Sequence, residues 1–441
     1  MLRAAPWRNW ARTESVRPVR VERPTTVAAV QRAVVAAGSA GLTIKAVGTG
    51  HSFTGIAVAP GVQLDLFDLR LPGLESGFAV DLPTGQVTVA AGMPLYRLTR
   101  LLEPLGLALP NLGDIDRQTI AGAVSTGTHG TGGGLVGLAG QVVALTLVTG
   151  DGSLLRVSPG ENAELLPAVR LGLGALGIIV SVTVQCVPRF LLHAVEKTEP
   201  VDVVLDDYLE RTNRADHFEF FWFPHTETAL TKTNTRVSVA DPGSRPARFS
   251  RWIDDELLAN GVYRISCDVG TVFPAMVPPL ARIAARVTGD RDFTDESRRV
   301  FSSSRTVRFR EMEYGLPREQ IAEAFRAVRA LIERKRWRIS FPIEVRSAAA
   351  DDLWLSTAQG RDTGYIAVHR YVREDPREFF HAVEDIMRSY DARPHWGKIH
   401  YQGADSLREV FAHFDDFLAV RDRLDPERRF TNTYLERVLG P

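Results

Sequence analysis

Apolar positions recur in two rhythms along this chain. Near the start, VRPVRVE (residues 16–22) alternates apolar and polar as a short strand does. Pro24, Thr25 and Thr26 then introduce VAAVQRAVVAAG, whose apolar residues fall at helical spacing. Thr26 is placed to cap this helix and Gly38 to end it. LTIKAV (42–47) reads as the next strand, and the turn VGTGHSFTGIA (47–57) follows at once. GVQLDL, QVTVAAG and QVVALTLVTGDGSLLRV continue the strand rhythm. Among them lies a glycine-dense stretch, LPNLGDIDRQTIAGAVSTGTHGTGGG (109–134), and GIIVSVTVQCVP (177–188) is a β-rich run that Pro188 terminates.

From Arg189 onward the texture shifts to more aromatic residues and longer helices. In residues 317–337, Ile321, Phe325, Val328 and Ile332 keep helical spacing. RISFPIEVRS (338–347) then alternates strictly. Ile339, Phe341, Ile343 and Val345 share one face, and Arg338, Ser340, Glu344 and Arg346 share the other. GYIAVHRYV follows as a strand and PREFFHAVEDIMRSY as an amphipathic helix. This order predicts a second α+β domain on an antiparallel sheet. The most apolar stretch, residues 270–287, is broken by prolines and arginines. It reads as an apolar loop and short helix, and no transmembrane segment is expected.

A chain of 441 residues exceeds what one core usually supports, so at least two domains are expected. Its 53 basic side chains match 53 acidic ones, which removes the global field that nucleic acid would require. Two cysteines, Cys186 and Cys267, make neither a disulfide framework nor a zinc site. They suit a reducing cytoplasm, and the opening MLRAAPWRNWARTES has no apolar core of a secretory signal.

The chemistry concentrates in a few places. Gly122, Gly127 and Gly130, with Thr119, Ser125, Thr126, Thr128 and His129, offer amides and hydroxyls to a polyphosphate. GLGALG (172–177) fits the spacing of a dinucleotide fingerprint. A strand follows it where that fingerprint needs a helix, so a Rossmann reading fails. Glu344 beside Arg346 is either a solvated pair or a polar pocket in which the glutamate holds the arginine. PHWGK (394–398) gathers His395, Trp396 and Lys398. No carboxylate or cysteine cluster accompanies His395 and His400, so no metal is expected.

Taken together, VGTGHSF (47–53), residues 109–132, LGALGIIVSVTVQCVP (173–188), FFWFPHTE (220–227), IEVR (343–346) and RPHWGK (393–398) resemble the aldonolactone oxidase family, relatives of alditol oxidase among the vanillyl-alcohol-oxidase-type flavoproteins. The resemblance spans nearly the whole chain. It implies an α+β, two-domain, PCMH-type FAD-binding fold: an FAD domain over residues 1–188, an α+β substrate cap on an antiparallel sheet over 189–398, and a segment, 399–441, returning to the FAD domain.

The resemblance further implies that FAD is attached covalently through His51, clasped by Gly48, Thr49, Gly50 and Ser52. Asp114, Thr119, Gly122, Ser125 and Thr126 would bind phosphate and ribose, and the backbone of Ile179 would meet the adenine. Asp114 replaces the small residue expected there. Gly113 would leave room for oxygen beside the flavin. Arg346 would bind and polarise substrate oxygens, Glu344 would orient the arginine and bind hydroxyls, Lys398 would stabilise negative charge on the reduced flavin or on the substrate alkoxide, and His369 would face the pocket. The implied reaction oxidises the C2 hydroxyl of a sugar 1,4-lactone by hydride transfer to FAD, with O2 reduced to hydrogen peroxide. The alternatives are a polyol substrate, or an electron acceptor other than oxygen.

Overall fold

The computed structural model describes residues 5–74, 77–240, 263–287, 290–302 and 307–441. Three sheets position everything of functional interest. In the first, Arg20–Glu22, Val62–Leu64 and Ile44–Ala46 pair in parallel, with Val62–Leu64 central. The helix Val27–Ser39 makes the crossover, and the Thr26 hydroxyl accepts from the Ala29 N–H as an N-cap. The helix runs one residue past Gly38, and the reversal is made at Gly41, whose φ is +64°. The strand expected over 16–22 is shorter. Pro18, which has no N–H, separates Arg20–Glu22 from Ser15–Val16, which pairs instead with Trp7–Arg8.

The second sheet is antiparallel, in the order Leu154–Val157, Val142–Val148, Ile178–Gln185, Gln86–Ala90, Phe78–Asp81. Val182 and Val184 of its central strand point into the largest core with Val87 and Leu145. The helices Ala404–Val410, Phe414–Leu424 and Thr433–Leu439 contribute Leu407, Phe417 and Leu435 to the same core.

The third sheet has eight strands: Arg291–Glu296, Leu191–Pro200, Thr228–Val237, His217–Trp222, Ile343–Ala348, Thr363–Tyr371, Phe309–Pro317 and Arg393–Pro394, all neighbours antiparallel. The strand period of two sorts its residues. Phe220, Trp222, Met312, Tyr314, Ile343, Val345, Ile366 and Val368 pack with Phe325 and Val328 of the helix Ile321–Lys335 and with Phe379 and Val383 of Arg377–Arg388. The intervening positions 219, 311, 313, 344, 346 and 369 face the other way.

Two expectations are corrected. The alternation over 338–347 yields a strand only from Ile343, because Pro342 cannot donate to a ladder, although Ile339 and Phe341 remain buried. Residues 270–287 form parts of two helices, Tyr263–Val272 and Val277–Val287, joined by a 3-10 turn at Pro274–Met276, in place of a loop and short helix. Among the described residues no helix is long and apolar enough to cross a membrane.

Candidate active site

Two cavities meet at the turn that carries His51. The first, about 380 Å³, is walled by Gly48, Thr49, Gly50, His51 and Ser52 on one side. Thr119, Gly122, Ser125 and Thr126 stand on another, and Ile179 on a third. A Cβ at Gly48 would lie 2.5 Å from Thr119 Oγ1, so the two loops approach as closely as glycine permits. Gly50 has φ of +72°, a conformation that side chains rarely adopt. The hydroxyls of Thr119 and Thr126 serve their own short helix, Ile120–Ser125. Thr119 Oγ1 accepts from the Gly122 N–H and Thr126 Oγ1 donates to the Gly122 carbonyl. Their contribution to the cavity is therefore largely wall and backbone.

The GLGALG stretch also reaches this cavity, through Leu173, Gly174 and Gly177. It does so as a turn between the helix Leu166–Val169 and the strand Ile178–Gln185, a role its resemblance to a dinucleotide fingerprint had hidden. Behind it, buried Lys45 donates to the carbonyls of Gly174 (3.3 Å) and Phe430 (3.1 Å). Burial, assisted by Arg421, lowers its pKa to about 7.

His51 is held from both sides. The Trp10 N–H donates to the Gly50 carbonyl (2.7 Å), the Asn9 amide to the Ser52 carbonyl (2.9 Å), and the Trp10 ring stacks on the imidazole at 6.0 Å. The Phe53 N–H donates to the Gly397 carbonyl (2.7 Å) and Thr54 Oγ1 to the Trp396 carbonyl (3.1 Å), clamping the turn to the PHWGK loop. Burial and the charge of Arg117 bring the His51 pKa down to about 4, so the ring is neutral at ordinary pH. Its Nδ1 is buried without a hydrogen-bond partner.

The second cavity, about 90 Å³, shares His51, Ser52, Gln118 and Thr126 with the first. Glu344, Arg346, His369 and Lys398 all border it. So do Gly113 and Asp114. Asp114, grouped with the phosphate binders by resemblance, thus stands apart from the glycine-walled cavity. Its carboxylate adds to the field that keeps Arg346 charged, a placement suited to a cation and ill suited to a phosphate.

Sheet register explains how distant residues converge. Glu311 lies opposite His369, and Glu344 opposite Ala367, whose small side chain leaves Glu313 on its far side within the same row. Arg346 pairs through Nη2 with Glu344 and through Nε with Glu219 at 2.9 Å, and Tyr208 donates to its carbonyl. Burial opposes charge on Arg346, but Glu344 and Glu219 outweigh it and hold the guanidinium protonated. Lys398 contacts Glu311 and stands 3.7 Å from Glu313. Burial alone would lower its pKa, and the two carboxylates raise it above the usual lysine value.

Glu219, Glu311 and Glu313 were not among the residues expected from sequence. The signal was present in FREMEYGLP (309–317), where Glu311 and Glu313 alternate with Met312 and Tyr314, but acidic residues at alternate strand positions look like a solvated face. Among the described residues, two triads, His129–Glu313–His395 and Glu311–Glu344–His369, bring ligand atoms within 4.8 Å of one another. The Lys398 ammonium stands between the two β-strand glutamates and supplies positive charge there.

Comparison with known proteins agrees with this geometry. Residues 182–438 match the D-arabinono-1,4-lactone oxidase family and residues 18–158 the FAD binding domain family. The chain is 43% identical to an L-gulono-1,4-lactone dehydrogenase of Mycobacterium tuberculosis, covering 99% of both chains. It is 33% identical to the L-gulonolactone oxidase of Bos taurus (98% of each) and 32% identical to an alditol oxidase of Streptomyces (98% of each). The crystal structure of a cholesterol oxidase from B. sterolicum superposes with a TM-score of 0.82 at 19% identity, covering 99% of this chain and 96% of that one, a likeness of fold.

Proposed function

The chain belongs to the D-arabinono-1,4-lactone oxidase family of FAD-dependent oxidoreductases, and from that membership we propose how its two cavities divide the work. The enzyme oxidises an aldonolactone with FAD. FAD fits the first cavity because its walls are glycine turns that admit a flat, extended ligand, and because a neutral imidazole with an unpartnered Nδ1 borders it. Bound there, FAD supplies a two-electron acceptor for hydride from carbon. His51 then has the lone pair needed for covalent attachment, with Gly48, Thr49, Gly50 and Ser52 around the ring system, Gly122 and Ser125 beside the phosphates, and Ile179 at the adenine end.

The sugar lactone occupies the second cavity with its C2 hydroxyl towards the His51 boundary. Arg346 binds substrate oxygens, with Glu344 and Glu219 setting the plane of its guanidinium. Lys398 stabilises negative charge developing on the reacting oxygen. His369 lines the far wall, its Nδ1 at 2.9 Å from the Pro342 carbonyl fixing the ring. The observation that carries this reading is that Arg346 and Lys398, from separate strands and loops, border the same small cavity as His51.

In this reading residues 1–188 hold FAD, 189–398 hold the substrate, and 399–441 return to the first part. Cytoplasmic placement is supported by two buried thiols that form no disulfide, Cys186 and Cys267. Oxygen is the acceptor we assign, because Gly113, which carries no side chain, stands in the wall of the substrate cavity. The Mycobacterium relative, a dehydrogenase, favours a second reading in which a dye, quinone or protein takes the electrons. One panel decides: L-gulono-, L-galactono- and D-arabinono-1,4-lactone and xylitol, each followed for peroxide and for dye reduction. Turnover with a lactone, forming one peroxide for each lactone oxidised, is expected. Dye reduction without peroxide selects the second reading, and activity confined to xylitol overturns the substrate assignment.

A further inference from the structure

Counting charge in the second cavity leaves a deficit of protons. Four carboxylates, Glu219, Glu311, Glu313 and Glu344, surround two cations, Arg346 and Lys398. Glu311, Glu313 and Glu344 are buried, and uncompensated charge in such a place is costly. Asp114 adds to the negative side.

The histidines show where the missing positive charge resides. His369 Nδ1 lies 2.9 Å from the Pro342 carbonyl, which only accepts, so Nδ1 carries a hydrogen. Its Nε2 faces Glu311 Oε1 at 3.5 Å. His129 repeats the arrangement, with Nδ1 at 2.9 Å from the Gly130 carbonyl and Nε2 at 3.3 Å from Glu313 Oε2. In a neutral ring each Nε2 would present a lone pair to a carboxylate. A proton between nitrogen and oxygen turns both contacts into hydrogen bonds. His395 differs, because its Nδ1 accepts the Gly397 N–H at 3.0 Å, which suits the neutral ring.

We propose that Glu311 and Glu313 are positioning residues for Lys398, each sharing a proton with its own histidine, His369 or His129, so that two carboxylate–imidazole pairs fix the ammonium at the substrate cavity. Every charged or titratable group facing Lys398 then has a part. Glu311 and Glu313 hold it from one strand, and Glu344 adds attraction from the next while being engaged by Arg346. His369 and His129 back the two holding carboxylates, and His395 on its own loop stays neutral. No electron moves in this arrangement; it places charge before the hydride transfer. The proposal rests on the function assigned above only in expecting Lys398 to act on substrate.

The chain has five lysines, Lys45, Lys197, Lys232, Lys335 and Lys398. Holoenzyme grown with lysine labelled at 13Cε therefore yields few signals, and K398R identifies the one of interest. The Lys398 midpoint is expected above that of an ordinary lysine, and Glu311→Gln should lower it by at least about one pH unit, as removal of an opposite charge does. The alkaline limb of anaerobic flavin reduction by lactone should move in the same direction, and Glu311→Asp should restore most of the shift. With 15N-histidine, His369 and His129 should both show a protonated Nε2 at pH 7, assigned by His→Asn replacements.

A Lys398 midpoint unmoved in both Glu311→Gln and Glu313→Gln overturns the proposal. So does an unprotonated Nε2 in both histidines of the unsubstituted enzyme, a measurement that stands even where the glutamate variants do not fold. If the midpoint falls while flavin reduction is unchanged, the positioning role holds and the role assigned to Lys398 is what fails.

Discussion

The cofactor-side cavity is walled largely by backbone, the substrate-side cavity by charge. In the first, Gly48, Gly50, Gly122, Gly174 and Gly177 strip side chains from the surface, and two basic groups in the wall are kept neutral or driven towards neutrality: His51 by burial and Arg117, Lys45 by burial and Arg421. In the second, carboxylates, a guanidinium, an ammonium and imidazoles crowd into about 90 Å³. A ligand retained through many turnovers is served by shape and close approach. A ligand that must change its charge distribution in place is served by fixed charges already oriented for that change. His51 lies on the border and belongs to both.

This contrast can be broken at four points. Gly48→Val puts branched carbon where Thr119 Oγ1 already stands, 2.5 Å from the first added atom. Flavin content, read from the ratio of visible to ultraviolet absorbance, should fall to near zero. A fully yellow variant would show that backbone approach is not what builds the first cavity.

Arg346→Ala should leave flavin content intact and slow anaerobic flavin reduction by about 10²–10³, the range seen when a preorganised electrostatic donor is removed. Loss of flavin in this variant would mean that the two cavities are not separable.

His51→Ala should release flavin into the supernatant on acid precipitation while the native protein stays yellow. In the unsubstituted protein the pH dependence follows from the depressed pKa. Between the ordinary histidine value and about 4 the folded ring stays neutral while the unfolded chain takes up a proton, so stability falls as pH drops through that window. Attachment of FAD to apoprotein should persist to well below pH 6.5 and cease only near 4. An attachment rate that halves near 6.5 would show a ring exposed to solvent.

Gly113→Ala is the gentlest change. Its Cβ would meet Thr128 Cγ2 at 3.0 Å and the His129 carbonyl at 3.1 Å, so the wall shifts by a few tenths of an ångström. Oxygen reactivity of the reduced enzyme should decline several-fold with flavin reduction nearly unchanged. Equal declines would remove Gly113 from the oxygen path.

Local signals carried much of this molecule. The glycine turn at 47–53 and the stretch at 109–134 were expected to face a ligand, and the structure places residues of both in cavity walls, a placement that depends on residues close in sequence. Thr26 before an apolar helix, and the largely apolar strand run in 363–371, likewise expressed themselves within a few positions. The substrate cavity was legible only in part. Glu344 and Arg346, two apart on one strand, showed that a polar face existed, but whether it met solvent or a pocket depended on what lay across the sheet. Glu311 and Glu313 become partners of His369, His129 and Lys398 through register and loop placement, and their own segment holds no trace of those partners. Asp114 misled for the same reason, since its neighbour Arg346 is more than two hundred positions away. Pro18 and Pro342 were the failures that local reading should have caught, each cutting short a strand for want of an N–H.

The cofactor cavity is completed late. The Phe430 carbonyl receives Lys45, the Arg429 carbonyl receives the Ile44 N–H, and the Asn432 amide donates to the carbonyls of Gly55, Ile56 and Val58. The loops nearest the start of the chain are thus locked by residues made some four hundred codons later. During synthesis the glycine turn emerges long before the residues that lock it; with FAD placed as proposed, a chain truncated before residue 430 should fail to retain the flavin.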